Sequence, residues 1–134
     1  MDGFKKLGLS HDLIKALEKK GYTEPTSIQS QVIPLLLTGK KDVVGKSQTG
    51  TGKTASFALP ILEKLRDKSK GTQAIILTPT RELALQVSLE IESLAGERHV
   101  KILAVYGGAP IVSQIQKLKK GVDIVVGTPG RVID

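Results

Sequence analysis

The sequence has no cysteine, no tryptophan and no asparagine, and it carries only two histidines, two tyrosines and two phenylalanines. Without thiols there are no disulfides and no thiolate metal sites. With His11 and His99 as the only imidazoles, a zinc centre lacks ligands as well. The unbroken apolar runs, such as the one that contains Ile33 to Leu37, are far short of the roughly 20 residues a membrane-spanning helix needs. The opening residues Met1-Asp2-Gly3-Phe4-Lys5 form no apolar secretion core. The expectation is therefore no membrane contact and a cytoplasmic location. The few aromatics, Phe4, Tyr22, Phe57 and Tyr106, are too sparse for a surface that holds a single strand by stacking successive bases, so a bound strand would be gripped through its backbone.

What is present is positive charge. Twenty Lys and Arg face thirteen Asp and Glu, a net charge of +7 spread along the chain. That surplus suits a polyanion such as nucleic acid or nucleotide, and equally a plain solvated surface. The 134 residues have room for one domain with a sizeable core.

Helical periodicity comes first along the chain. Ser10 stands where it can cap a helix with an apolar face of Leu13, Ile14 and Leu17, and Gly21 would end it. Thr26 or Ser27 can cap a second helix, with Ile28, Val32 and Leu35 aligned and Pro34 as a kink. From Asp42 the rhythm changes. Four short apolar runs, Val43-Val44, Ala74 to Thr78, Val100 to Tyr106 and Val122 to Val126, are each followed by Gly or Pro. Amphipathic segments lie between them, at Lys53 to Arg66, Arg81 to Leu94 and Ile111 to Lys119. Strands apolar on both faces, alternating with helices, predict an α/β fold: a parallel β-sheet with helices on both faces and right-handed crossovers.

Ser47-Gln48-Thr49-Gly50-Thr51-Gly52-Lys53-Thr54 has the spacing of a phosphate loop between a strand and a helix. Gly50 and Gly52 let backbone amides converge on a triphosphate, Lys53 reaches the outer phosphates, and the Thr54 hydroxyl can hold Mg2+. Ser47 replaces the usual glycine with another small residue. Further on, Thr80 can cap a helix that has Arg81 at its mouth; in isolation Arg81 is as well explained as a solvated side chain. Gly107-Gly108 and Thr128-Pro129-Gly130-Arg131, taken singly, are ordinary turns. Parallel strands change their meaning, because all four loops then leave the sheet at its carboxyl edge, where open α/β folds bind ligands. Glycine amides, helix starts and two arginines would there lie beside the nucleotide, facing a longer polyanion.

These segments together resemble the DEAD-box RNA helicases, in order and along nearly the whole chain. Gly21-Tyr22-Thr23-Glu24-Pro25-Thr26-Ser27-Ile28-Gln29, with Phe4 upstream, is similar to the family's adenine-reading segment (residues 4–29). Residues 47–54 resemble its phosphate loop, with Ser47 in place of the more usual alanine, and residues 79–84, 107–108 and 128–131 resemble its RNA-contacting segments. The resemblance implies a RecA-like, phosphate-loop NTPase domain. Phe4, Tyr22 and Gln29 would surround adenine, Ser47 to Thr54 would hold ATP, Lys53 and Thr54 would act in catalysis, and Thr54 would bind Mg2+. Pro79, Thr80, Arg81, Gly107, Gly108, Thr128, Pro129, Gly130 and Arg131 would hold the RNA backbone with little regard for sequence. The family's Asp-Glu-Ala-Asp strand and second domain are not in these residues: Asp123 stands before Ile124-Val125-Val126 and not after an apolar run, and Asp134 is the last residue. The expectation is a truncated portion of an RNA-unwinding ATPase, with negligible turnover alone and a tendency to self-associate. A nucleotide- or RNA-binding module without turnover, or another phosphate-loop enzyme, remain the alternatives.

Overall fold

A computed structural model describes residues 2–46, 52–65 and 71–134. In chain order the elements are α1 (Asp2–Lys5), α2 (His11–Lys19), α3 (Ser27–Thr38), α4 (Lys53–Lys64), β1 (Ala74–Leu77), α5 (Arg81–Ala95), β2 (Ile102–Val105), α6 (Ile111–Lys119), β3 (Ile124–Gly127) and α7 (Pro129–Ile133). The chain divides into two compact units, Met1–Lys64 with Ser93–Arg98, and Leu65–Glu92 with His99–Asp134.

The first unit is helical. Along α2, Leu13, Ile14, Ala16 and Leu17 form the buried stripe expected from their spacing. Gly21 ends it in a left-handed conformation, which lets the Tyr22 N–H reach the Leu17 carbonyl and the Gly21 N–H reach the Glu18 carbonyl, both at 3.0 Å. Thr26 caps α3 in a reciprocal capping box with Gln29. The buried face of α3 is Gln29, Val32 and Ile33; Leu35, expected on it, is exposed, because the capping box turns Gln29 and its i+3 and i+4 neighbours inward. Small residues on α4, Ala55, Ser56 and Ala58, are buried beside Leu59 and Leu62, and α4 packs along α3.

Ser10 precedes α2 as expected, but its side chain makes no capping hydrogen bond. It joins a charged cluster instead. Its hydroxyl donates to Asp12 and Glu63, and Arg98 donates to Ser10, Asp12, Glu63 and the Leu62 carbonyl. One guanidinium so ties the start of α2 to the end of α4. Its hydrogen bonds hold the Asp12 carboxyl at about 2, below the ordinary 3.8.

The second unit holds a three-stranded, fully parallel sheet in the order β1-β3-β2. Every residue of β3 is buried, so both sheet faces are covered at its centre. Register places Ile75, Val125 and Leu103 side by side, and Val105, Val122 and Val125 pack with Leu103 and Val132. At the amino end Asp123 pins the strands, accepting from Lys101 N–H at 2.9 Å and from the Gln73 amide at 3.4 Å. The carboxylate that the sequence leaves without a metal role is thus a register lock.

The expected fourth strand is absent among the described residues. Val43 and Val44 form no strand and Val44 is 85% exposed. Two β-branched residues between Lys41-Asp42 and Gly45-Lys46 offer too few ladder bonds to define a strand by themselves. As an edge strand, β1 leaves Ile75 and Leu77 60% and 58% exposed.

The Asp12 shift predicts an acid-labile fold. Because the folded carboxyl titrates below its unfolded value, its stabilisation is complete above about pH 4 and is lost as the pH falls towards about 2. Urea midpoints measured across that window should fall more steeply for the wild type than for Asp12→Asn, and equal slopes would refute the clamp.

Candidate functional site

In the first unit the segment from Phe4 to Gln29 is organised by its own packing. The Phe4 ring is fully buried and meets Tyr22 edge to face, with ring centroids 6.1 Å apart. Pro25 lies against Gly3, where an added Cβ would approach its Cδ to 2.7 Å. Gln29 is 1% exposed and uses both ends of its amide: the carbonyl accepts from Thr26 N–H at 2.9 Å, and Nε2 donates to the Gly52 carbonyl at 3.2 Å. One further N–H and one lone pair are the capacity it retains for a base.

Residues 47–51 lie outside the described residues, so the expected sites at Ser47, Gln48, Thr49, Gly50 and Thr51 lie outside them too. Gly52 is left-handed, and a Cβ there would come within 2.3 Å of Gln29 Nε2. Glycine is required at position 52 by both its φ and its neighbour. Helix α4 starts at Lys53, with an exposed Lys53, a half-buried Thr54 and no acidic residue in its first turn. The start of such a helix presents unpaired N–H donors suited to an anion. Among the described residues no cluster of His, Cys, Asp or Glu could hold a metal ion.

In the second unit three loops leave the same sheet edge. The register pairs Leu77 and Val105 with Gly127, so residues 79–81, 107–108 and 128–131 all follow the carboxyl ends of parallel strands. Backbone bonds from Thr78 N–H to the Gly127 carbonyl (2.9 Å) and from Thr128 N–H to the Val105 carbonyl (3.1 Å) extend the ladder into the loops. Thr80 caps α5, its hydroxyl accepting from Leu83 N–H at 3.2 Å. The Arg81 guanidinium lies 4.8 Å above the Tyr106 ring centroid. Gly108 has a positive φ, and a Cβ there would stand 3.8 Å from Arg81 Nη1. Arg131, in the short α7, donates to the Ala109 carbonyl at 3.0 Å. The common edge expected for four loops is therefore found for three.

Sequence reasoning passed over two residues at this edge. Tyr106 enters the sequence reading only as a scarce aromatic and as the end of an apolar run, and Gln114, buried on α6, does not enter it as a site residue. The signal for Gln114 was in the periodicity: Ile111, Gln114, Ile115 and Leu118 share one helical stripe, and an amide in an apolar stripe requires a partner.

The sequence pattern of the DEAD/DEAH box helicases matches residues 26–134. The chain belongs to that family. It is 52% identical, over its whole length, to the ATP-dependent RNA helicase CshA of Listeria monocytogenes, covering 26% of that protein. It is likewise 52% identical over 131 residues to the probable ATP-dependent RNA helicase MJ0669 of Methanocaldococcus jannaschii, covering 35% of it. Among solved structures, a DEAD box protein from the hyperthermophile Methanococcus jannaschii superimposes with a TM-score of 0.93 at 51% identity, over 98% of this chain and 36% of the other. A hypothetical ATP-dependent RNA helicase from Sulfolobus tokodaii gives 0.82 at 40% identity, over 94% of this chain and 36% of the other. The fold is the RecA-like α/β fold of these DEAD-box proteins, and the chain spans about a quarter to a third of the length of the relatives it matches.

The packing role of the Gln29 amide is open to direct measurement. Gln29→Ala should destabilise the nucleotide-free protein by about 1–3 kcal/mol in urea unfolding, since it removes the bond to the Gly52 carbonyl, which keeps its bond from Ser56 N–H, and opens the capping box. A loss too small to measure would free Gln29 for a role in base recognition alone.

Proposed function

We propose that this chain forms nucleotide- and RNA-binding surfaces of an ATP-dependent RNA helicase, which couples ATP hydrolysis to duplex separation. The observation that carries it is the common carboxyl edge of three parallel strands, which presents Arg81, Gly107-Gly108 and Thr128 to Arg131 together. Backbone donors and arginines suit phosphates and sugars, which are the same for every sequence. In the helical unit, Gln29 and Phe4 recognise adenine. Residues 47–54 cradle the triphosphate, Lys53 neutralises its outer phosphates and the Thr54 hydroxyl ligates Mg2+. The exposed Lys53 at a helix start without acidic neighbours fits that anion. Bound Mg2+ would offset charge on the transferring phosphoryl group. Hydrolysis by these 134 residues alone is negligible, since the Asp-Glu-Ala-Asp strand that the family resemblance calls for is not among them. A single strand held in a bent path along the edge would be pulled out of a duplex. The whole protein works in the cytoplasm, in keeping with the finding that no described helix is long and apolar enough to cross a membrane. The exposed Ile75 and Leu77 of β1 favour self-association of the chain by itself.

Lys53→Ala should abolish adenine-nucleotide binding in calorimetric titration, and unchanged affinity would refute the phosphate-loop assignment. Affinity for single-stranded RNA should fall with salt and be nearly indifferent to sequence. Arg81→Ala and Arg131→Ala should each flatten the log–log salt slope by about 0.7, the value for one phosphate contact on a single strand. A strong preference for one sequence at constant salt would overturn the backbone assignment.

A further inference from the structure

Gln114 is 7% exposed, on a helical stripe otherwise occupied by Ile111, Ile115 and Leu118. An aliphatic residue would suit that stripe better unless both ends of the amide were engaged. Both are. Nε2 donates to the Tyr106 carbonyl at 3.2 Å, and Oε1 accepts from Arg131 Nη1 at 3.5 Å. The same Nη1 donates to the Ala109 carbonyl, and Asp134 lies 3.9 Å from Arg131 Nε, which leaves the Nη2 donors outside these contacts. On the other side, the residue whose carbonyl Gln114 holds is the one whose ring carries Arg81. A single buried amide therefore stands between the two arginines of the carboxyl edge.

We propose that Gln114 is a positioning residue for nucleic-acid binding: it ties the Tyr106 turn to Arg131 and so sets the spacing at which Arg81 and Arg131 meet one strand. The proposal rests on the backbone contacts assigned to those arginines under Proposed function. A guanidinium on a flexible stem gains most from being held before the ligand arrives, because less rotamer freedom is lost on binding. Gln114 touches no strand itself; its effect passes through Arg131 and through the backbone beneath Tyr106.

The test uses the 134-residue chain and a single-stranded RNA of mixed sequence, followed by fluorescence anisotropy at one fixed low salt concentration. Gln114→Met keeps length and burial while removing both hydrogen bonds, and should weaken binding by about threefold to tenfold. In an Arg131→Ala background the same change should lose distinctly less, because part of its effect acts through Arg131. Wild-type affinity in folded Gln114→Met, or strictly additive losses, overturns the proposal. Gln114→Glu gives a second route should the Met variant not fold: it keeps an acceptor for Arg131 and removes the donor to the Tyr106 carbonyl. Arg81→Ala should then lose less in the Glu background than in the wild type, and an equal loss overturns the proposal. Positioning is also read without RNA, from relaxation of the Arg131 Nε–H signal in 15N spectra, which should report greater side-chain mobility in Gln114→Met; unchanged mobility overturns the proposal. Absence of salt-dependent RNA affinity in the wild type would remove the RNA function itself, while the relaxation result would still decide whether Gln114 orders Arg131.

Discussion

The second unit depends on the pairing of β3 with a parallel neighbour on each side. Gly127 makes that pairing possible at the carboxyl edge: a Cβ there would come within 2.5 Å of Val105 Cγ2, 2.6 Å of Val132 Cγ2 and 2.9 Å of the Val105 carbonyl. At the opposite end Asp123 binds the backbone of Lys101 and the side chain of Gln73. With both ends held, a slip of one residue is resisted, since it would exchange the side chains of β3 between the two covered faces of the sheet. The loops after the three strands inherit their common edge from that register.

Buried glutamines serve the two units in similar ways. Gln29 joins the cap of α3 to the Gly52 carbonyl, and Gln114 joins the Tyr106 carbonyl to Arg131. Each amide is buried, where an unpaired polar group would be costly and a paired one fixes a single arrangement. A neutral amide suits these places because it donates and accepts at once and brings no charge to desolvate. Charge is used where water still reaches: Arg98 with Asp12 and Glu63.

Membership of the DEAD/DEAH box family gives these arrangements a setting, since the chain covers only 26% and 35% of relatives named as ATP-dependent RNA helicases. Arg81 on the Tyr106 ring and Arg131 at the Ala109 carbonyl are held by contacts that leave guanidinium donors over. That combination of order and spare donors suits a ligand whose repeating phosphates are uniform.

Much was legible in the sequence because it depends on local rules. The stripe of Leu13, Ile14 and Leu17, the caps at Thr26 and Thr80, the stop at Gly21 and the three longer strands all follow from spacing, capping and turn chemistry within a few residues. Parallel pairing of those strands then placed residues 79–81, 107–108 and 128–131 on one edge. Tertiary structure decided what depends on distant partners. It turned Ser10 from a cap to the Arg98 cluster, left Val43-Val44 unpaired, made Asp123 a register lock, and gave Gln29, Tyr106 and Gln114 their contacts. A side chain's reach along its own helix is set by the period of that helix, whereas its partner in another element is chosen by packing that no short window of sequence contains.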